Sequence, residues 1–256
     1  MQVSQTQGPT ENDAFAWPEY WANLGQPWRV KPEIDPARQA TLGRRRAVAP
    51  DASRSEYPFK GMKLTRADIE WLLATHDNGF GPVDWSDEDQ RGRQGLDLRG
   101  ADLSEEILVG LPLAALRGGV DAPEYQQDAV NLRGALLADA HLEGAHLNYA
   151  RLENATLAGA HFEDAYLRWA HLEGATRIDW RPPIPIFNAP VYLARAQLLE
   201  AHLEGAVLSG SYLEGADLGF AHLHGTALAG ARLEGALGLP RLRGLLAFKP
   251  RHLLSV

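Results

Sequence analysis

The chain has 256 residues with 45% hydrophobic and 23% charged content, a formal net charge of -8 and no cysteine. That length suffices for one or two domains with a sizeable core, and the absence of cysteine excludes disulfides, thiolate metal sites and a cysteine nucleophile. The negative charge argues against direct nucleic-acid binding. No apolar run reaches the ~18 residues of a membrane-spanning helix, and Met1–Asp13 lacks a basic-then-apolar stretch. A cytoplasmic protein without membrane association is therefore expected.

Residues 1–60 are rich in proline yet carry Trp17, Trp21, Trp28, Tyr20, Tyr57 and Phe59. A disordered tail has few aromatics, so an extended arm fastened by these rings is expected. Within it, Pro36–Arg46 is expected to form a short helix ending in Arg44, Arg45 and Arg46, a placement the helix dipole favours. Residues 61–95 read as a helical cap. Thr65, followed at three residues by Asp68, starts a helix carrying Ile69, Leu72 and Leu73 to about His76; Gly79, Gly81 and Pro82 stop it. Ser86 is expected to start a second short helix through Arg91. Solenoid ends need such covers.

Residues 96–236 obey a period of five. Sixteen of eighteen blocks between Val130 and Ala236 read Ala, Ser or Thr, then any residue, then Leu or Phe, then two more, and Ala-His-Leu-Glu-Gly-Ala recurs at 140, 170 and 201. Five matches neither the helical period of 3.6 nor the strand period of 2. It indicates stacked coils around a continuous core. Residues two apart in an extended segment share a face, so Leu (132, 137, 142 and onward) and Ala (135, 140, 145 and onward) point inward together. Gly two places after Leu, as at Gly144, Gly159 and Gly205, suits a tight corner.

These blocks resemble the pentapeptide-repeat family over roughly 96–236. The resemblance implies an all-β fold: a right-handed square β-helix with four repeats per coil, here behind a mostly helical or irregular N-terminal segment. The Asp or Asn usual before Leu stands at Asp97, Asp102, Asn131 and Asp217, with His often in its place. Tyr57-Pro-Phe, Thr75-His-Asp and Gly81-Pro-Val-Asp-Trp are also similar to the lead-in of a bacterial subgroup of the family, which implies no activity. In residues 237–256, Pro240 suits a first helical turn, and Leu242, Leu245 and Leu246 make one apolar face. A C-terminal capping helix is expected there, and the resemblance adds a possible homodimer through that end.

Two interruptions break the period, near 104–131 and 177–191. The first contains Asp121-Ala-Pro-Glu, expected to start a helix with Asp121 as cap and Pro123 in the first turn. The second holds four prolines, which cannot sustain a backbone ladder, so it is expected to project as a loop. Trp169, Trp180 and Phe187 either serve recognition on that loop or fasten it to the wall.

With four blocks per coil, residues twenty apart stack. Glu143 then lies beside Glu163, and Glu153 beside Glu173 on the opposite wall, while Glu214 stacks with Glu234. The walls between carry Thr156, Ala158, Thr176, Val207, Ser209, Ala227 and Ala229. If the second interruption is a full coil plus one residue, His141, His161, His202 and His222 form one column; a half coil splits them. Imidazole and carboxylate are zinc ligands, but no spacing of a known metal motif is present, and a solvated wall is expected, with no metal and no cofactor. No phosphate-binding loop, nucleophile elbow or catalytic triad can be singled out, so no enzymatic activity is expected.

The sequence thus points to a non-enzymatic scaffold for a protein partner, with Trp169, Trp180, Phe187, Glu143, Glu163, Glu153, Glu173, Glu214 and Glu234 as candidate contact residues. The family resemblance implies an alternative, a DNA mimic acting on bacterial DNA gyrase or topoisomerase. Eighteen blocks make a rod of about 22 Å at ~4.8 Å per coil, matching B-DNA with about 13 charges. Residues 130–236 carry twelve Asp and Glu against seven Arg, which weakens that alternative.

Overall fold

The computed structural model describes residues 9–10, 13, 15–176 and 189–238. Its centre is a coil held by four ladders of parallel bridges. Face 1 runs through Lys63, Asp102, Asn131, Arg151, His171, His202 and His222, and face 2 through Ile107, Leu136, Thr156, Thr176, Val207 and Ala227. Face 3 runs through Pro112, His141, His161, Tyr192, Tyr212 and Arg232, and face 4 through Asp97, Arg117, His146, Tyr166, Gln197, Asp217 and Leu237.

Each block builds one side. In Ala140–Gly144, the His161 N–H donates to Ala140 O (2.9 Å), Leu142 N–H donates to His161 O (2.7 Å), and Gly144 N–H donates to Glu163 O (2.9 Å). The corner closes when Ala145 N–H donates to Leu142 O at 3.1 Å. The second corner residue, Gly144, has φ +61°, the left-handed conformation that a type II turn requires and glycine supplies. Ala and Leu alternate inward, and Ala140, Leu142, Ala145, Leu147, Leu157 and Phe162 are fully buried. Close-packed Leu beside Ala leaves the interior to the core and the outward positions to chemistry.

The interruptions fall at two opposite corners of the coil. Asp102 pairs with Asn131 and Arg117 with His146, 29 residues apart instead of twenty. Leu108 and Leu113 nevertheless lie in the core, so the coil persists through much of 104–131 and the extra residues fall between Arg117 and Asn131. That excursion holds a 3₁₀ turn, Pro123–Asp128, with Pro in its first turn but Ala122 as its cap. Asp121 does not cap it; its carboxylate accepts instead from Asn148 Nδ2 at 3.4 Å.

Across the second interruption His161 pairs with Tyr192 and His171 with His202, 31 residues apart. Each such coil holds eleven inserted residues beyond twenty, so the step from Leu172 to Leu193 is half a turn plus those eleven, and the single column of His141, His161, His202 and His222 does not exist. Val191 already sits buried in an inward position, so the coil has resumed by that residue. Residues 177–188, including Trp180 and Phe187, and the expected helix after Pro240 lie outside the described residues.

The N-terminal part closes the coil. The described residues up to 60 are not simply an extended arm: α1, Ala16–Asn23, buries Trp17 and Trp21 four residues apart on one side. In α2, Pro36–Arg46, the Asp35 side chain accepts from Arg38 N–H and the last turn is Arg44, Arg45 and Arg46. In α3, Arg66–Ala74, Thr65 and Asp68 form a reciprocal capping box. Leu42, Phe59, Leu64, Ile69, Leu72 and Leu73 join the same apolar core as the coil. Beneath them Arg66 donates to Glu70 (2.6 Å) and to the carbonyls of Ile107, Val109 and Trp28, while Glu70 accepts from Val30 and Lys31 N–H. One buried ion pair thus ties arm, helix and first coil together. The second short helix is only a 3₁₀ turn, Glu88–Gln90, capped by Asp87, because Ser86 is engaged with Asp84.

Candidate interaction surface

Corner geometry decides which side chains face out. In each block the residue before Leu and the residue after it point outward, so Ala-His-Leu-Glu-Gly presents His beside Glu. His141 Nδ1 lies 2.9 Å from Glu143 Oε1, and the corresponding distances are 3.2 Å for His161 with Glu163 and 3.0 Å for His171 with Glu173. Glu143, Glu163 and Glu173 each direct the other oxygen, Oε2, against the wall, where it is buried without a hydrogen-bond partner; so do Glu153 and Glu204. The Glu143 hydrogen bond raises the pKa of His141, against an opposing effect of burial. His146 has no such carboxylate in its block, and burial lowers its pKa.

The half-coil register sorts the chemistry by wall. Face 3 stacks His141 on His161 at 4.9 Å between ring centres, His161 on Tyr192 at 4.4 Å, and Tyr192 on Tyr212 at 5.0 Å. Arg232 covers Tyr212 at 4.5 Å. Beside these rings run Glu143, Glu163, Glu214 and Glu234, so all four belong to one wall. Face 1 stacks His171, His202 and His222 at 4.7 Å and 4.5 Å, next to Glu153, Glu173 and Glu204. Its N-terminal half is neutralised by Arg133 and Arg151, 3.6 Å and 3.9 Å from Glu153. The uncharged residues Thr156, Ala158, Thr176, Val207, Ser209, Ala227 and Ala229 collect on face 2 alone, instead of on two walls.

Trp169 stands at the corner leaving face 4. Its ring stacks on Tyr149 at 5.0 Å, its Nε1 donates to Glu200 Oε2 at 3.0 Å, and the Arg168 guanidinium lies 4.7 Å from the ring centre. It joins Val120, Ala129 and Tyr125 in a small apolar cluster beside the first excursion. Sequence reasoning did not single out Tyr192, Tyr212 or His171. Their outward block positions were legible, but their shared columns depended on the register.

One contact lies across the wall. Trp85 rests on Gly144, where an added Cβ would stand 2.0 Å from the indole, and packs with Val83, Ala114 and Ala115. The segment after α3 therefore laps over the N-terminal end of face 3 and buries Glu143.

Four-sided coils of five-residue blocks define a solenoid of pentapeptide repeats. The family model Pentapeptide repeats matches residues 135–174 and 196–235 in eight copies, so these residues are pentapeptide repeats, which implies a right-handed β-helix there. Among solved structures, a trypsin-treated form of QnrB1, a plasmid-mediated fluoroquinolone resistance protein, is 18% identical with a TM-score of 0.37, covering 72% of this chain and 94% of that one. Rfr23, a pentapeptide repeat protein from the cyanobacterium Cyanothece 51142, is 24% identical with a TM-score of 0.28, covering 56% and 85%. A pentapeptide repeat protein of the Arabidopsis thaliana thylakoid lumen is 21% identical with a TM-score of 0.22, covering 55% and 63%. No curated protein matches the chain. Among the described residues, no helix is long and apolar enough to cross a membrane.

Proposed function

We propose that this protein is a non-enzymatic interaction scaffold whose working surface is face 3, and that its partner is a protein presenting Lys and Arg. The observation that supports this reading is the ladder of four stacked rings, His141, His161, Tyr192 and Tyr212, flanked by Glu163, Glu214 and Glu234. Stacked rings fixed to a ladder of backbone bonds lose little side-chain entropy on binding, and the carboxylates select basic partners. Among the described residues the interior of the coil is filled by Leu and Ala, which leaves the walls for recognition.

The test is co-precipitation with full-length protein, comparing the parent with Glu163→Lys plus Glu214→Lys. The reading expects a basic protein bound at defined stoichiometry by the parent and lost by the charge reversal, with the circular dichroism unchanged. Equal binding by both would overturn it. The DNA-mimic alternative is less well supported, because Arg133, Arg151, Arg195 and Arg232 stand among the carboxylates of faces 1 and 3. A supercoiling assay with purified gyrase separates the two readings: inhibition or protection by the protein favours the mimic.

A further inference from the structure

The half-coil register gathers three histidines on face 1 that the sequence alone left divided. Along this wall the ligand atoms alternate. His171 Nδ1 lies 3.0 Å from Glu173 Oε1, which is 4.0 Å from His202 Nδ1. His202 Nδ1 is then 3.6 Å from Glu204 Oε1, and Glu204 Oε1 is 3.6 Å from His222 Nδ1. Glu204 is thus equidistant from two imidazoles in successive coils. In the next coil His224 replaces the glutamate, since the pairing of His202 with His222 sets position 204 opposite 224. At the C-terminal end of face 1 the His202 and His222 imidazoles thus flank one carboxylate, Glu204.

We propose that His202, Glu204 and His222 bind one divalent transition-metal ion, with zinc as the reference case. Two ligand atoms each ~2.1 Å from a tetrahedral zinc stand about 3.4 Å apart, close to both 3.6 Å separations. Nitrogen with carboxylate oxygen is a zinc donor set, unlike the all-oxygen sets of calcium and magnesium. The ligand atoms of all three residues lie within 4.8 Å of one another. Access is open, with side chains exposed by 32% at His202, 34% at Glu204 and 53% at His222. The Glu204 Oε2 is held against the wall without a hydrogen-bond partner, which leaves Oε1 pointing between the rings.

One geometric demand follows. The rings of His202 and His222 lie 16° from parallel, so their Nδ1 lone pairs run side by side and converge only if one ring turns about its Cβ–Cγ bond. His222 is the more exposed and has the freedom to do so. Loading should therefore abolish the His202–His222 stack, a signature that loose surface binding lacks. His171, Glu173 and His202 form a competing group one coil lower; because His202 is shared, the two cannot both be filled by ions using it.

Zinc sulfate titrated calorimetrically into the metal-free full chain tests the site, with cobalt(II) absorption as a second readout of tetrahedral coordination. The expected result is one ion per chain with submicromolar affinity, weakened at least ~10-fold by Glu204→Gln and by His222→Ala. His171→Ala and the face 3 control His141→Ala should leave affinity unchanged. Histidine ring resonances of His222 should shift on loading. Affinity indifferent to Glu204→Gln overturns the proposal, as does binding lost with His171→Ala but retained with His222→Ala. All of these substitutions are outward-facing, and circular dichroism checks that the coil is intact.

Discussion

Replacing Gly144 by Ala isolates the contact between the N-terminal segment and the wall. The residue has φ +61° and its new Cβ would lie 2.0 Å from Trp85. A left-handed L-residue costs about 1–2 kcal/mol, and forcing an indole out of its seat adds roughly 1–3 kcal/mol of overpacking. Gly205 is the control: its φ is +70° and nothing stands within 4 Å of the added atom, so only the backbone term applies. Urea unfolding should therefore show Gly144→Ala destabilised by about 2–5 kcal/mol and Gly205→Ala by about 1–2 kcal/mol. In the background of Trp85→Ala the excess should vanish, since the two residues then no longer meet. Equal effects at Gly144 and Gly205 in the parent would refute the seating of Trp85.

Further outcomes follow from the core, the clasp and the histidines. Leu157, fully buried, should cost roughly 2–5 kcal/mol as Leu157→Ala, and Leu157→Asp should unfold the coil by burying an unpaired charge; thermal melting reads both. Arg66→Ala strips Glu70 of its buried partner and frees three carbonyls, which should destabilise by about 3–5 kcal/mol and expose the chain before residue 31 to limited proteolysis. Because the folded pKa of His141 is raised, the His141–Glu143 pair stabilises fully below the unfolded value of ~6.5 and loses that contribution as pH rises through the folded value. Stability measured between about pH 5.5 and 8.5 should therefore fall less steeply in Glu143→Gln than in the parent; identical slopes would contradict the pairing.

The coil was legible because its signal is repeated: the inward Leu157 and Ala160 are each one of many equivalent positions. The capping box at Thr65 and Asp68 and the helix Pro36–Arg46 were also local, and the structure contains both. What depended on distance was not legible. Nothing in the sequence near Trp17 and Trp21 distinguishes an aromatic anchor on an arm from one side of a helix. Ser86 was free in sequence to cap a helix, but Asp84 engages it. The largest gap was one of register, which the sequence left open between a full coil plus one residue and half a coil: the structure sets eleven inserted residues between Thr176 and face 3. A half-coil difference exchanges opposite walls, so it moved His202 and His222 beside His171 and set Tyr192 and Tyr212 beside His161.

Everything proposed for the walls rests on that register, and the absence of native cysteine makes it directly measurable. His161 bridges Tyr192 in the structure, whereas a full-coil register would set Tyr192 beside His171. Neighbouring rungs stand ~4.8 Å apart, within the Cα range of a disulfide. Two double variants, His161→Cys with Tyr192→Cys and His171→Cys with Tyr192→Cys, should be oxidised under mild conditions and their thiols counted. The account predicts a rapid intramolecular disulfide in the first and two free thiols in the second; the opposite pattern would contradict it.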